Sequence, residues 1–227
     1  MRGVVLFDFG GTLDADGARW SVRFHAGYTA AGGREPFAVF EDAFRASDRA
    51  LLRVPGIGSL GFRAMVDLQS ALVLARLPDG LTLSRERIVE DFHAHAVAVI
   101  RRNQALLARL QRSYRLAVVS NFTGNLVPCL EELDLMSYFS AVADSGRVGA
   151  TKPDPRLFRH ALESLGGGVN GEPVWMVGDN FEADIRPAAS LGMQTAWLAP
   201  PVARSPDANV PTVRLTTLTE LAEVLPS

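Results

Sequence analysis

The sequence predicts an α/β fold: a parallel sheet with helices on both faces, interrupted after its first strand by an all-helical insert. Two observations carry this reading. The apolar run from Val4 to Phe7 ends in Asp8 and a Gly-Gly turn, as a short buried strand does. From Gln104 onward, strand-length apolar runs alternate with helix-length segments, the pattern of parallel strands joined by crossover helices. Between these two regions, Ala15 to about Arg102 has only helical texture.

The elements follow in order. Gly3–Phe9 reads as the first buried strand. Trp20, Phe24 and Tyr28 then recur every four residues, and Phe37, Phe40 and Phe44 follow Pro36, a residue suited to a first helical turn. A Gly-Pro loop spans Val54–Gly61. The next helix runs from Phe62 to Leu77 and stops at Pro78-Asp79-Gly80. Ser84 is placed as the N-cap of a helix through Ile88, Phe92 and Val99. A separate helix, Leu106–Arg112, leads to a strand at Leu116–Val119, the turn SNFTGN and a helix to about Leu135. Short strands are predicted at Ala141–Ala143, Pro173–Asp179, Thr195–Leu198 and Pro211–Leu215. Helices are predicted from Pro155, over Glu182–Leu191, and up to Leu225. Pro200–Pro211 is expected to be a surface loop.

Composition narrows the function classes. The 227 residues suffice for one sizeable core with an appendage. The formal charge of −2 gives no reason to expect nucleic acid or an anionic membrane as partner. Cys129 is the sole cysteine, so no internal disulfide forms, and with no signal-like N-terminus the expected location is cytoplasmic. Of the 23 basic residues, Lys152 alone is lysine. A lone lysine among arginines suggests a task for a compact point charge rather than a planar fork.

Chemistry collects at the predicted strand ends. Asp8 ends the first strand, Ser120 the second and Asp179 the third long one, while Lys152 lies in a loop before a helix. Ligands of such sheets bind outside the carboxyl ends of the strands. Two carboxylates, a hydroxyl and an ammonium on one edge suit a hard divalent cation together with a phosphoryl group. Each residue alone is a common turn or cap residue; their convergence is what needs explaining. His25, His93, His95 and His160 have no ligand spacing and receive no role.

These residues stand in DFGGTL, VVSN, TKPDP and GDNFEAD, and in that order the chain resembles the haloacid dehalogenase superfamily. The resemblance implies a Rossmann-like parallel sheet core (residues 1–14 and 103–227) with an inserted all-helical cap domain of the C1 type (residues 15–102). It implies a Mg²⁺-dependent phosphatase acting on a small phosphorylated molecule through an aspartyl-phosphate on Asp8. Asp8, Ser120 and Lys152 would be catalytic. Gly11, Thr12, Ser120, Asn121 and Lys152 would hold the phosphoryl group. Asp8, the carbonyl of Gly10, Asp179 and Asp184 would bind the metal, Asp184 through water or by orienting Lys152.

One position departs from the family pattern. Two residues after the nucleophile, family phosphatases usually carry a second Asp that protonates the leaving oxygen; here it is Gly10. General acid–base help is worth roughly 10²–10⁴ in rate. The resemblance therefore implies a weakened phosphatase, one specialised for good leaving groups, or a silent module that binds a phosphorylated ligand or a partner protein. Phosphonoacetaldehyde hydrolases also lack that Asp, but they use a cap lysine absent here. Haloacid dehalogenases lack the Asp that here is Asp179. Asp14 or Asp16 is a candidate substitute acid, and Gly10→Asp is expected to raise turnover of alkyl phosphates if only the acid is missing. Arg147 stands where many relatives have Glu, and is expected to alter how the Lys152 loop is held or to meet an acidic substrate.

Overall fold

β1 (Val4–Phe7) is buried along its whole length. Successive side chains of a strand point to opposite faces, so both faces need cover. Val5 and Phe7 join an apolar cluster with Phe24, Phe62 and Leu107, while Val4 and Leu6 pack with Leu157, Phe158 and Ala161. A strand covered on both sides belongs at the centre of a parallel sheet. The computed structural model describes residues 1–166, 171–210 and 212–225. The remaining strands are β2 (Arg115–Ser120), β3 (Ala141–Asp144), β4 (Val174–Gly178), β5 (Gln194–Leu198) and β6 (Val213–Leu215). Among the described residues they form one six-stranded sheet in the order β3-β2-β1-β4-β5-β6, with every pair parallel. The fold is α/β and Rossmann-like. Pro211, the predicted start of the last strand, lies outside the described residues.

Four helices lie between β1 and β2: α1 (Trp20–Ala30), α2 (Phe37–Leu51), α3 (Phe62–Leu74) and α4 (Arg85–Gln111). Ser84 caps α4 as expected, accepting from the Arg87 amide at 3.3 Å. The separate helix expected at Leu106–Arg112 does not exist; α4 is continuous over 27 residues. No Gly or Pro interrupts it, and the buried positions Ile88, Phe92, Ala96, Ile100, Asn103, Leu107 and Leu110 keep helical spacing throughout. Its first half packs on α1 and α3, and its last turns reach β2.

After β2 come α5 (Leu126–Glu132), α6 (Ser145–Val148), α7 (Pro155–Ser164), α8 (Arg186–Ser190) and α9 (Leu221–Val224). Asp154 caps α7, which has Pro155 in its first turn. Residues 200–210 carry no helix or strand and are tied down by Arg186–Asp207 and by Arg214 donating to the Ala203 carbonyl. No helix among the described residues is long and apolar enough to cross a membrane.

Candidate active site

The parallel register brings three carboxyl ends side by side. Phe7 pairs with Val118 on β2 and with Val177 on β4, so Asp8 leaves the sheet between Ser120 and Asp179. β1 ends two residues sooner than expected because Phe9–Leu13 winds into a tight turn. Within it Gly10 is extended (φ −76°, ψ 113°) and Gly11 is left-handed (φ 95°). A Cβ on Gly11 would stand 2.6 Å from Asp179 Oδ2, so both the dihedral and the space demand glycine there.

Asp8 is pinned through one oxygen. Its Oδ1 accepts from Lys152 Nζ at 2.6 Å and from the Ser120 hydroxyl at 3.0 Å. The Thr12 hydroxyl lies 3.4 Å from both Asp8 Oδ2 and Asp179 Oδ1, linking the two acids. Lys152 Nζ also pairs with Asp184 Oδ1 at 2.6 Å and donates to the Val119 carbonyl at 2.9 Å. Burial pulls this ammonium toward neutrality, but Asp184 and Asp8 outweigh it and hold its pKa above that of an ordinary lysine. Asn121 is committed elsewhere: its side-chain oxygen accepts from the Lys152 amide at 2.7 Å and its nitrogen donates to the Lys152 carbonyl at 3.0 Å. It fixes the backbone from which the lysine reaches.

Asp184 sits in the turn before α8, its Oδ2 accepting from the Asn180 amide at 3.0 Å. Oxygens of Asp8, Asp179 and Asp184 lie within 4.8 Å of one another. Burial, then the charges of Asp8 and Asp184, raise the Asp179 carboxyl well above its ordinary range; burial raises that of Asp184 although Lys152 opposes it. Three hard oxygen donors crowded against their own repulsion fit a divalent cation, which relieves that repulsion.

Trp20, marked in the sequence only as part of a helical repeat, stands at the site. Its indole fills the space beside Gly10: a Cβ there would lie 3.1 Å from Trp20 Nε1. The ring is held by Asp14, whose Oδ2 accepts from Trp20 Nε1 at 2.8 Å and from Arg23 at 2.6 Å. Asp14 Oδ1 accepts from the Gly11 amide at 2.7 Å, and the residue is fully buried. Asp16 is bound to Arg102 at 2.5 Å and to the Leu218 amide at 3.0 Å. Arg147 braces loops, its Nε donating to the Gly124 carbonyl at 2.6 Å. Asp144, unnoticed in the sequence, accepts from the amides of Gly124, Leu126 and Gly146 at 2.9–3.0 Å and so shapes the loop after Ser120. A cleft of about 580 Å³ is lined by Asp8 and Lys152, by Gly10 and Thr123, by the apolar Trp20, Phe44 and Met65, and by Arg19 and Arg49.

The model of the haloacid dehalogenase-like hydrolases matches residues 3–192. The chain belongs to this family. Among curated relatives, it is 31% identical over 122 residues to pyrimidine 5′-nucleotidase YjjG of Escherichia coli, covering 53% of this chain and 54% of that protein. It is 41% identical over 97 residues to a phosphoserine phosphatase of Thermus thermophilus, covering 42% and 38%. The matched segments thus span about half, or less, of these relatives. The HAD-hydrolase YfnB of Bacillus subtilis, solved bound to magnesium, superposes with a TM-score of 0.60 at 19% identity, covering 99% of this chain and 98% of that one. At that identity the likeness concerns the fold. The chain is therefore a haloacid dehalogenase-like hydrolase with phosphatase and nucleotidase relatives and an acidic triad at its strand ends.

Proposed function

We propose that this hydrolase cleaves small phosphate monoesters with good leaving groups, with residues 15–102 acting as a cap over a core of residues 1–14 and 103–227. The observation that carries this reading is Asp8, held through Oδ1 by Lys152 and Ser120, with Asp179 and Asp184 beside it. Asp8, Asp179 and Asp184, with the Gly10 carbonyl, would hold Mg²⁺, which when bound supplies a Lewis acid to the phosphoryl oxygens. Asp8 attacks phosphorus; the Asp8–O–P bond forms and the ester P–O bond breaks. Water then attacks the aspartyl-phosphate, releasing phosphate and restoring the carboxylate. Lys152 and Ser120, together with the Thr12 amide, would carry the phosphoryl charge; the Gly11 amide, expected to share that task, is spent on Asp14. Asn121 keeps Lys152 in place.

Among the described residues, no free carboxyl takes the place of the second Asp as a proton donor to the leaving oxygen. Gly10 has no side chain, Trp20 Nε1 is spent on Asp14, Asp14 is buried among three donors, and Asp16 is tied to Arg102. Substrates whose leaving oxygen needs no proton, such as aryl or acyl phosphates, are favoured on that ground.

The test is hydrolysis of 4-nitrophenyl phosphate and of an alkyl phosphate, with Mg²⁺ and then with EDTA. Aryl turnover should require Mg²⁺, exceed alkyl turnover by about 10²–10⁴, and vanish in Asp8→Asn. Turnover that survives EDTA or Asp8→Asn would overturn the mechanism. Absence of any turnover would favour a module that binds phosphorylated ligands without cleaving them.

A further inference from the structure

We propose that the cleft selects phosphate monoesters whose apolar body carries a cationic amine, and that Asp48 on α2 is the group that recognises it. The inference rests on the phosphatase reading and adds the chemistry of the substrate's far end.

Asp48 lines the same cleft as Asp8 and Lys152. It is not a loose surface acid. Gln69 on α3 donates to Asp48 Oδ1 at 2.5 Å, and the same amide nitrogen lies 3.5 Å from the Ser47 hydroxyl. Gln69 and Ser47 are both buried, at 1% and 0% exposure. A buried amide therefore fixes the carboxylate from behind while the carboxylate itself stays open to the cleft. Phe44 and Leu51 from the same helix, Met65 from α3, and Trp20 make the neighbouring wall apolar.

This carboxylate has a buried amide behind it but, among the described residues, no cation paired with it. Asp14, Asp16, Asp67, Asp154 and Asp207 each have an arginine within 4.0 Å, whereas Asp48 has no ion pair among the described residues. Arg19 and Arg49 line the same cleft, but Arg19 pairs with Glu41 at 3.9 Å and Arg49 does not come within ion-pair distance of Asp48. The apolar surroundings push the Asp48 carboxyl up to about 6, with the Gln69 hydrogen bond and Arg49 only partly opposing. A carboxylate held by Gln69 against apolar walls without an ion-pair partner is a place for a cation brought by the ligand. Phosphate at Lys152 and ammonium at Asp48 would orient the substrate from both ends.

The experiment compares phenyl phosphates carrying a para aminomethyl, 2-aminoethyl or 3-aminopropyl group with their ethyl, propyl and butyl counterparts. Shape is matched; the ammonium's inductive pull on the phenolate fades along the series and acts on kcat, whereas recognition acts through KM. At pH 7.5 with Mg²⁺, at least one amine of the series should exceed its alkyl counterpart in kcat/KM by roughly tenfold, the size of one charge-assisted hydrogen bond, through KM. Asp48→Asn keeps an oxygen for Gln69 and removes the charge, so the ratio should fall to near one. Asp42→Asn, an exposed acid on α2 outside the cleft, should leave the ratio as it is. A ratio near one throughout the wild-type series, or one that persists in Asp48→Asn, overturns the inference. If no phenyl phosphate is turned over, the phosphatase reading has failed, and calorimetric titration of the same pairs decides the recognition by the same ratio in affinity.

Discussion

Gly10→Ala tests the reason for glycine two residues after Asp8. The backbone there (φ −76°, ψ 113°) is open to any residue, so a methyl group adds no backbone strain. Its obstacle is Trp20, whose Nε1 and Cε2 would lie 3.1 and 3.2 Å from the new Cβ. The indole has little freedom to retreat. Asp14 holds its nitrogen at 2.8 Å, and the rings of Phe9, Phe62, Phe92 and Phe122 surround it with centroids 5.3–6.2 Å away. Overfilling a packed site costs about 1–3 kcal/mol. Replacing glycine at a compatible dihedral returns about 0.4–1 kcal/mol by restricting the unfolded chain. The net expectation is a loss of about 0.5–2 kcal/mol, or about 1–8 °C in Tm for a chain of this size. In a Trp20→Leu background the obstacle is gone, and the same substitution should stabilise by about 0.4–1 kcal/mol. Urea and thermal unfolding of the four proteins in EDTA give the cycle. Equal effects in both backgrounds, or a stabilised Gly10→Ala alone, would refute the account. The same contact revises the simple expectation for Gly10→Asp: alone it should not raise alkyl phosphate turnover, because its carboxylate must first displace the indole.

Two further predictions concern buried charge. Asp14→Ala leaves the Arg23 guanidinium, 9% exposed, without its 2.6 Å partner and should cost about 3–5 kcal/mol in urea unfolding; adding Arg23→Leu should recover part of that loss, the rest lying with the Gly11 amide and Trp20 Nε1 that also lose Asp14, and no recovery would show that the pair is not the cause. Asp48 is exposed to the cleft, yet the desolvating walls around its carboxyl raise the folded pKa to about 6, so it favours folding when protonated, and that contribution is lost as pH rises from about 4 through 6. The Tm of Asp48→Asn minus that of the wild type should therefore grow over that window and level off above it; a flat difference would mean the carboxyl is not perturbed.

The strand ends were legible because a parallel sheet leaves little choice about where they meet. Once VVLF and PVWMVG are read as adjacent buried strands, Asp8 and Asp179 must emerge on the same edge, and the register does place them there. The unbroken α4 was less legible because the sequence marks ends by caps and breakers, and Arg101–Ala105 carries polar residues that resemble a boundary without being one. Asp14 reads as a candidate substitute acid in the loop after the first strand. Only the fold reveals that Arg23 and Trp20 from α1 enclose it. Nothing in the local sequence marks Asp48, and its partner Gln69 comes from a different helix altogether. Side chains that meet across elements leave no local pattern, whereas side chains placed by a strand's own end do.

Under the proposed function, the exchange at Gly10 removes one catalytic group and introduces a surface. Where a second Asp would reach the leaving oxygen, this chain has an indole that also walls the cleft. The two consequences agree in the substrate they favour. A phenolate leaves without a proton donor, and an aromatic leaving group gains from packing on an apolar ring. An alkoxide needs the missing proton and makes smaller use of the wall. Trp20 also cannot be traded back for an acid by one substitution, because Asp14, Arg23 and the Gly11 amide are organised around it. Asp14 ties the turn that aims Asp8 to the helix that carries Trp20. Loss of the acid at position 10 is therefore built into the packing of the site and is not an isolated change at one residue.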